Sequence, residues 1–358
     1  MSNKTPLFNA HTAAGGKLVE FAGWSLPINY GSQMDEHHAV RKAAGMFDVS
    51  HMTVVDIQGN DAGPYLRRLL ANDVARLKDP GQALYGCMLN EQGGVIDDLI
   101  TYFLEPTFYR TVVNAATREV DLDWMRRQAQ GFSVDIVERD DLAMIAVQGP
   151  NARATVIELL GANVAESLKP FRAISHGDYF IARTGYTGED GFEVLLPAAQ
   201  AEAFWQGLVE AGVQPCGLGA RDSLRLEAGL NLYGQDMDTA TTPLESNLAW
   251  TVAFDPPERD FIGRKALEAQ KAAGVSRQLV GLVLDRGAIP RSGAPVHTAA
   301  GEGVVTSGIF SPTIGRPIAL ARIPSGSDTE VEVELRGRRL PAQVVKPPFV
   351  RNGEVKVL

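Results

Sequence analysis

Lys271-Ala272-Ala273-Gly274-Val275-Ser276-Arg277 separates a helix from a final segment of different texture. Beyond it the chain is rich in Gly, Pro and short strands, the pattern of a small β domain. Near its end Val331, Val333 and Leu335 alternate with Glu332, Glu334 and Arg336. Gly337 then permits a turn into 339–345, so a solvent-faced β-hairpin is predicted. Upstream, short β-rich runs alternate with helices of moderate length, which reads as α+β or α/β rather than all-helical. No earlier boundary is visible from composition.

Working back along the chain, helices are predicted over 33–44, with Gly45 as the C′ residue, and over 64–77. The second opens at Pro64 and places Leu66, Leu69, Leu70 and Leu77 on one stripe. A third covers 117–129 with Val120 and Trp124 inward, a fourth 198–211, and a fifth 219–228. Strands are predicted at Thr53–Gln58, Leu99–Phe103, Tyr109–Val113, Met144–Val147, Tyr179–Ala182 and Glu193–Leu196.

At 358 residues the chain is longer than one core usually supports, so two or three domains are expected. The formal charge of −9 argues against non-specific binding to nucleic acid or to an anionic membrane. No apolar run is long enough for a spanning helix, and Met1-Ser2-Asn3-Lys4-Thr5-Pro6 lacks the apolar stretch of a secretory signal. Cys87 and Cys216 read as reduced, partly buried thiols, and a cytoplasmic protein is expected. A phosphate loop and a nucleophile elbow are both absent. Gly217-Leu218-Gly219 starts like a dinucleotide fingerprint but has Asp222 where the third glycine belongs. His37 and His38 are adjacent, His51 stands alone, and no metal is expected.

Three stretches carry candidate chemistry. In Gly93-Gly94-Val95-Ile96-Asp97-Asp98-Leu99 two glycines turn the chain and two carboxylates follow. In a strand these point to opposite faces, one free for a pocket; alternatively they cap backbone N–H groups of a hairpin turn. In Arg183–Glu193 three glycines allow close backbone approach to a ligand, Tyr186 offers a flat surface and Glu193 a carboxylate. The same run also reads as a glycine-rich hairpin. In Gly219–Glu227, Arg221 and Arg225 lie one turn apart and can clamp an anion or a carbonyl edge. Alternatively, Asp222 and Arg225 form a plain surface pair. Together the three suggest a planar, amide-like heterocycle with an acidic tail.

With the segments Gly45–Met52, Gly93–Leu99, Thr184–Glu193 and Gly219–Gly229, the chain resembles the aminomethyltransferase (T-protein) of the glycine cleavage system. Phe21-Ala22-Gly23-Trp24, Asn231-Leu232-Tyr233-Gly234 and Lys346-Pro347-Pro348-Phe349-Val350 extend the likeness in register. The resemblance implies an α+β fold: a three-domain cloverleaf with a C-terminal β-barrel domain around a central folate channel. Its domains would be 1–50 plus 142–270, discontinuous and folate-binding; an inserted α+β domain, 51–141; and the barrel, 277–358.

The same resemblance implies the activity. A one-carbon unit passes from the aminomethyl-dihydrolipoyl arm of a lipoylated H-protein, met transiently, to tetrahydrofolate as co-substrate. Ammonia leaves and 5,10-methylenetetrahydrofolate forms; the P-protein and L-protein are indirect partners. Asp98 matches the family's key acid, Glu193 its pterin-edge carboxylate, Tyr186 the aromatic beside the pterin, and Arg221 a folate-contacting arginine. Tyr85 and Asn114 fall where members line the same pocket, and Arg291 resembles an arginine near the lipoyl entrance. Arg351-Asn352-Gly353 departs from the tyrosine-bearing tail of animal members. The alternatives are a folate-dependent demethylase and a non-catalytic folate-binding protein of the same fold. A monomer is expected, since nothing marks a large apolar interface.

Overall fold

The structure is a computed structural model that describes residues 2–285 and 288–357. Met1 and Leu358, the outer ends of the first and last predicted domains, lie outside the described residues.

The short strand Gly45–Asp48 organises the first two-thirds of the chain. It pairs antiparallel with Leu142–Gln148, Phe47 opposite Ala146, and parallel with Gln214–Pro215. These belong to a six-stranded sheet that continues through Gly191–Pro197, Tyr179–Ala182 and Ala173–His176. The residues between the first pair form their own five-stranded sheet, ordered Ala83–Leu89, Val95–Glu105, Phe108–Val113, Thr53–Gln58 and Asp135–Glu138.

Alternation along Leu142–Gln148 explains how the two sheets meet. Side chains of a strand point alternately to opposite faces. Ile145 and Val147 join Val156, Phe204, Trp205 and Leu208 from the helices Ala152–Leu160 and Ala201–Glu210. Met144 and Ala146 turn the other way, into a core shared with Val54, Tyr102 and Val112 of the five-stranded sheet and with Ala220 and Leu224 of the helix Leu218–Glu227. That helix is thus held by both sheets.

Gly274 ends the helix Arg264–Ala273 with φ of 87°, and Arg277 opens a closed six-stranded barrel. Val280, Leu282 and Leu284 fill its interior with Val331 and Val333 from the predicted hairpin. Leu279 and Val283 face outward and pack on Leu226 and Phe349. The fold is therefore a mixed helix-and-sheet structure with a C-terminal barrel, as expected.

Several element boundaries differ from the expectation. The predicted helix 64–77 ends at Leu69, because Leu70 bridges to Met88 and Asp73 caps a separate turn through the Ala75 N–H. The helix from Gln33 ends at Lys42, and Gly45 is not its C′ residue but a strand residue. A Cβ there would lie 2.4 Å from Val40 Cγ2, so a glycine is needed for packing rather than for capping. In the helix Arg118–Gln128, Val120 faces solvent, while Asp121, Leu122 and Met125 are buried. Both cysteines are free and fully buried. Among the described residues, no helix is long and apolar enough to cross a membrane.

Candidate active site

The Gly93–Gly94 turn sets up the site. A Cβ on Gly94 would lie 1.9 Å from the Thr239 carbonyl oxygen, so the chain can pass there only as glycine. The strand then begins at Val95, earlier than predicted, and both aspartates lie within it on opposite faces. Asp97 goes inward and accepts the Asn114 backbone N–H at 3.0 Å and its Nδ2 at 2.9 Å. Asp98 points the other way and accepts from Tyr85 Oη at 2.7 Å and Asn114 Nδ2 at 3.0 Å. Neither carboxylate serves as a simple turn cap.

Pairing of the neighbouring strand places Tyr85 opposite Ile100 and Cys87 opposite Asp98, so Tyr85 reaches Asp98 diagonally. Burial pushes Asp98 up to about 6 against the pull of the Tyr85 and Asn114 hydrogen bonds, with Asp236 adding to the rise. Burial and the Asp98 charge hold the Tyr85 hydroxyl well above its ordinary range, so it stays a neutral donor. Trp250 stacks on Tyr85, with centroids 5.7 Å apart and planes 24° apart, yet remains 62% exposed.

The second half of the site comes from the six-stranded sheet and the shared helix. Glu193, in the strand Gly191–Pro197, accepts from Thr184 Oγ1 at 2.5 Å. Its pKa is raised by burial, with Thr184 and Arg221 opposing. Arg221 lies on the helix Leu218–Glu227, its guanidinium 4.7 Å over the Tyr186 ring. Among the described residues it makes no ion pair or side-chain hydrogen bond, and burial lowers its pKa while Tyr186 and Glu193 oppose. A desolvated guanidinium with its donors unspent is a ready partner for an incoming carbonyl or anion. The Tyr186 hydroxyl donates to the Asn231 carbonyl. Asp98, Arg225 and Arg221 all bear on Tyr186 electrostatically, so the two halves face one locality.

Asp98, Tyr85 and Asn114 therefore form one hydrogen-bonded group; in the other half Arg221 stacks on Tyr186 and bears on Glu193 through its charge, with no hydrogen bond among the three. Arg291 stands apart: it is exposed in the loop before Pro295–Thr298 and hydrogen-bonds to none of the six. The predicted Arg221–Arg225 clamp does not form. Arg225 is buried and committed to Asp222 at 2.9 Å, Asp236 at 2.8 Å and Ser307 at 3.0 Å. The plain surface pair is only part of the truth, because Asp236 and Ser307 tie this arginine to the barrel side. Sequence reading also missed Trp250, which sits in no motif, and Thr184, hidden within a glycine-rich run. No group of three or more His, Cys, Asp or Glu among the described residues is arranged to hold a metal.

Residues 7–256 match the family model of the GCVT N-terminal domain, and 277–351 that of the glycine cleavage T-protein C-terminal barrel domain. Among solved structures, the glycine cleavage system aminomethyltransferase T from Bartonella henselae is 36% identical. That match covers 99% of this chain and 100% of the other, with a TM-score of 0.91. Heterotetrameric sarcosine oxidase from Corynebacterium sp. U-96 is 14% identical over 58% of this chain and 94% of that one, at a TM-score of 0.37 too low to carry an argument. With both family models matched in order and that identity sustained along nearly its whole length, the chain belongs to the glycine cleavage T-protein family.

Proposed function

We propose that the protein transfers the one-carbon unit from an aminomethylated dihydrolipoyl H-protein to tetrahydrofolate, giving 5,10-methylenetetrahydrofolate, ammonia and the free dihydrolipoyl arm. The observation that carries this reading is the buried Tyr85–Asp98–Asn114 group together with Glu193 and an Arg221 that forms no ion pair among the described residues. These residues fit a reduced pterin: Glu193 has acceptor capacity left after its one bond to Thr184, and Arg221 has donors to spare. Tetrahydrofolate would supply the two nitrogen nucleophiles that take up the carbon, N5 on the pterin and N10 on the side chain beside it. Glu193 and Arg221 hold the pterin edge, Tyr186 lies beside its face, and Asp98 offers a fixed negative charge where positive charge develops on the transferred carbon. Tyr85 and Asn114 hold that carboxylate in place. Arg291 is assigned to the entrance used by the lipoyl arm.

The sheet pairings support reading the chain as a folate-binding unit of 1–50 plus 142–270, an inserted unit 51–141 and a barrel unit 277–358 arranged around the folate channel. The H-protein is the direct partner and the encounter is transient; the P-protein and L-protein act on it elsewhere, in a cytoplasmic setting.

The decisive experiment supplies aminomethylated lipoyl H-protein and tetrahydrofolate. Ammonia and methylenetetrahydrofolate in equal amounts support the reading. 5-Methyltetrahydrofolate without ammonia would identify a demethylase instead, and binding without turnover a non-catalytic relative. Glu193→Ala is expected to weaken folate binding by about 1.5–3 kcal/mol, roughly 10- to 150-fold, by leaving the pterin edge unpaired; calorimetric titration with tetrahydrofolate measures it. Turnover that needs Asp98 ionised is expected to fall as pH drops through about 6. A pH profile of kcat checks this, and a flat profile from pH 5 to pH 8, roughly the span over which such a group changes charge, would remove the carboxylate from the mechanism.

A further inference from the structure

Asp121 is fully buried on the inward face of the helix Arg118–Gln128, and among the described residues neither of its carboxyl oxygens receives a hydrogen bond. An ionised carboxylate placed this way is among the costliest groups to bury. Its helix packs on the strand that carries Asp97, the Asp97 carboxyl bears on it electrostatically, and Thr117, one turn before it, donates to the Asn114 carbonyl at 3.0 Å. Two buried carboxyl groups that bear on each other in this way are reconciled by one proton held between them.

We infer that Asp97 and Asp121 share a proton, and that Asp121 is a positioning residue which, through Asp97 and Asn114, sets the Asp98 carboxylate. Asn114 is the link. Its Nδ2 reaches Asp97 Oδ1 at 2.9 Å, Asp98 Oδ1 at 3.0 Å and the Asp98 carbonyl at 3.1 Å. An amide has two protons for these three acceptors. A fully ionised Asp97 would draw the amide to itself; a proton-sharing Asp97 is the weaker acceptor and leaves an N–H for Asp98. The surroundings favour the shared proton. Burial, Asp121 and Asp98 raise Asp97 well above the carboxylate range, and burial takes Asp121 up to about 7, with Asp97 and Thr117 opposing and Asp98 adding to the rise. Asp236 bears on Asp98 and Asp238 on Tyr233. Burial keeps Tyr85, Tyr186, Tyr233 and Cys87 neutral. Arg221 and Arg225 are the cations of the neighbourhood, acting on Tyr186.

The catalytic consequence rests on the proposed role of Asp98; the shared proton does not. Asp121→Asn puts an amide N–H where the shared proton lay, whereas Asp121→Leu removes it. The amide variant is expected to keep most of its turnover and its acid limb. The leucine variant is expected to lose about 10- to 100-fold in kcat with the folate Kd unchanged. Doubling Asp97→Asn with Asp121→Asn removes the pair's negative charge and should move the acid limb to lower pH. Infrared difference spectra, wild type against Asp121→Asn at neutral pH, should show a protonated-carboxyl band lost in the variant. Wild-type kcat in Asp121→Leu would overturn the positioning role, and the lack of the band would overturn the shared proton. If the leucine variant does not fold, the spectra and the double variant decide both points. A band present in a wild type that releases no ammonia would defeat the functional reading and leave the shared proton standing.

Discussion

Asp98→Asn is expected to lower kcat by on the order of 10²–10³-fold while leaving tetrahydrofolate affinity nearly unchanged. The substitution keeps the shape of the side chain and removes its charge. Asn114 Nδ2 can keep its bond to the one remaining oxygen, and the Tyr85 hydroxyl, which bonds the other carboxylate oxygen, can turn to accept from the new amide N–H, so the pterin pocket keeps its geometry. What disappears is a desolvated negative charge, which stabilises a developing cation far more in a water-poor site than in bulk water. Stability should move the opposite way. Burial raises the folded pKa of Asp98 from 3.8 to about 6. A raised carboxyl stabilises the fold below its unfolded pKa and loses that contribution as pH rises through its folded value, so at pH above about 6 the ionised aspartate is a burden. The asparagine variant is therefore expected to unfold no more easily than wild type at pH 7.5, as thermal unfolding would show. A variant that lost activity and stability together would point to a structural aspartate.

The largest effect on stability is expected from Glu227→Ala, about 3–5 kcal/mol by urea unfolding. Glu227 ends the helix that carries Arg221 and is completely buried. It accepts from Arg41 Nε at 3.1 Å and Nη2 at 2.8 Å, from the Thr313 N–H at 3.0 Å and hydroxyl at 2.8 Å, and from Ser311. His37 Nε2 lies 3.2 Å away. Burial opposes ionisation, but His37, Arg41 and Ser311 together hold the carboxyl down at about 2. Its stabilisation is therefore present above the ordinary carboxylate pKa and lost as pH falls toward 2. Removing it strands a buried guanidinium, whose remaining bonds include Glu189 at 2.7 Å and the Thr187 carbonyl at 2.8 Å, and several barrel-side donors at once. Glu227→Gln, which keeps an acceptor, should cost less. Because the same helix presents Arg221, the alanine variant should also weaken folate binding at temperatures where it is still folded.

Much of this molecule was legible in its sequence, and the reasons are local. Strands such as Thr53–Gln58 and Tyr179–Ala182 are rich in β-branched and aromatic residues. Gly274 punctuates the chain just before the barrel, and Val331 and Val333 alternate with glutamates in the period that a half-buried strand imposes. The glycines at 93 and 94 mark a turn, and two adjacent carboxylates in the strand behind it must face opposite ways whatever surrounds them. The family motifs add Asp98, Glu193 and Arg221 as candidates, through resemblance rather than spacing.

Tertiary structure decided what no local pattern encodes. Gly45–Asp48 finds its partner at Leu142–Gln148, because sheet pairing depends on shape and burial between segments far apart in sequence. Arg221 and Arg225 share a helical stripe, yet only Arg221 is left unspent, since Asp236 and Ser307 approach Arg225 from other segments. Val120, expected inward, turns to solvent and Asp121 is buried, because packing of the helix against the strand of Asp97 set the rotation of Arg118–Gln128, against hydrophobicity alone. Burial then gives these carboxylates their protons, and burial is a property of the assembled chain, not of any stretch of it.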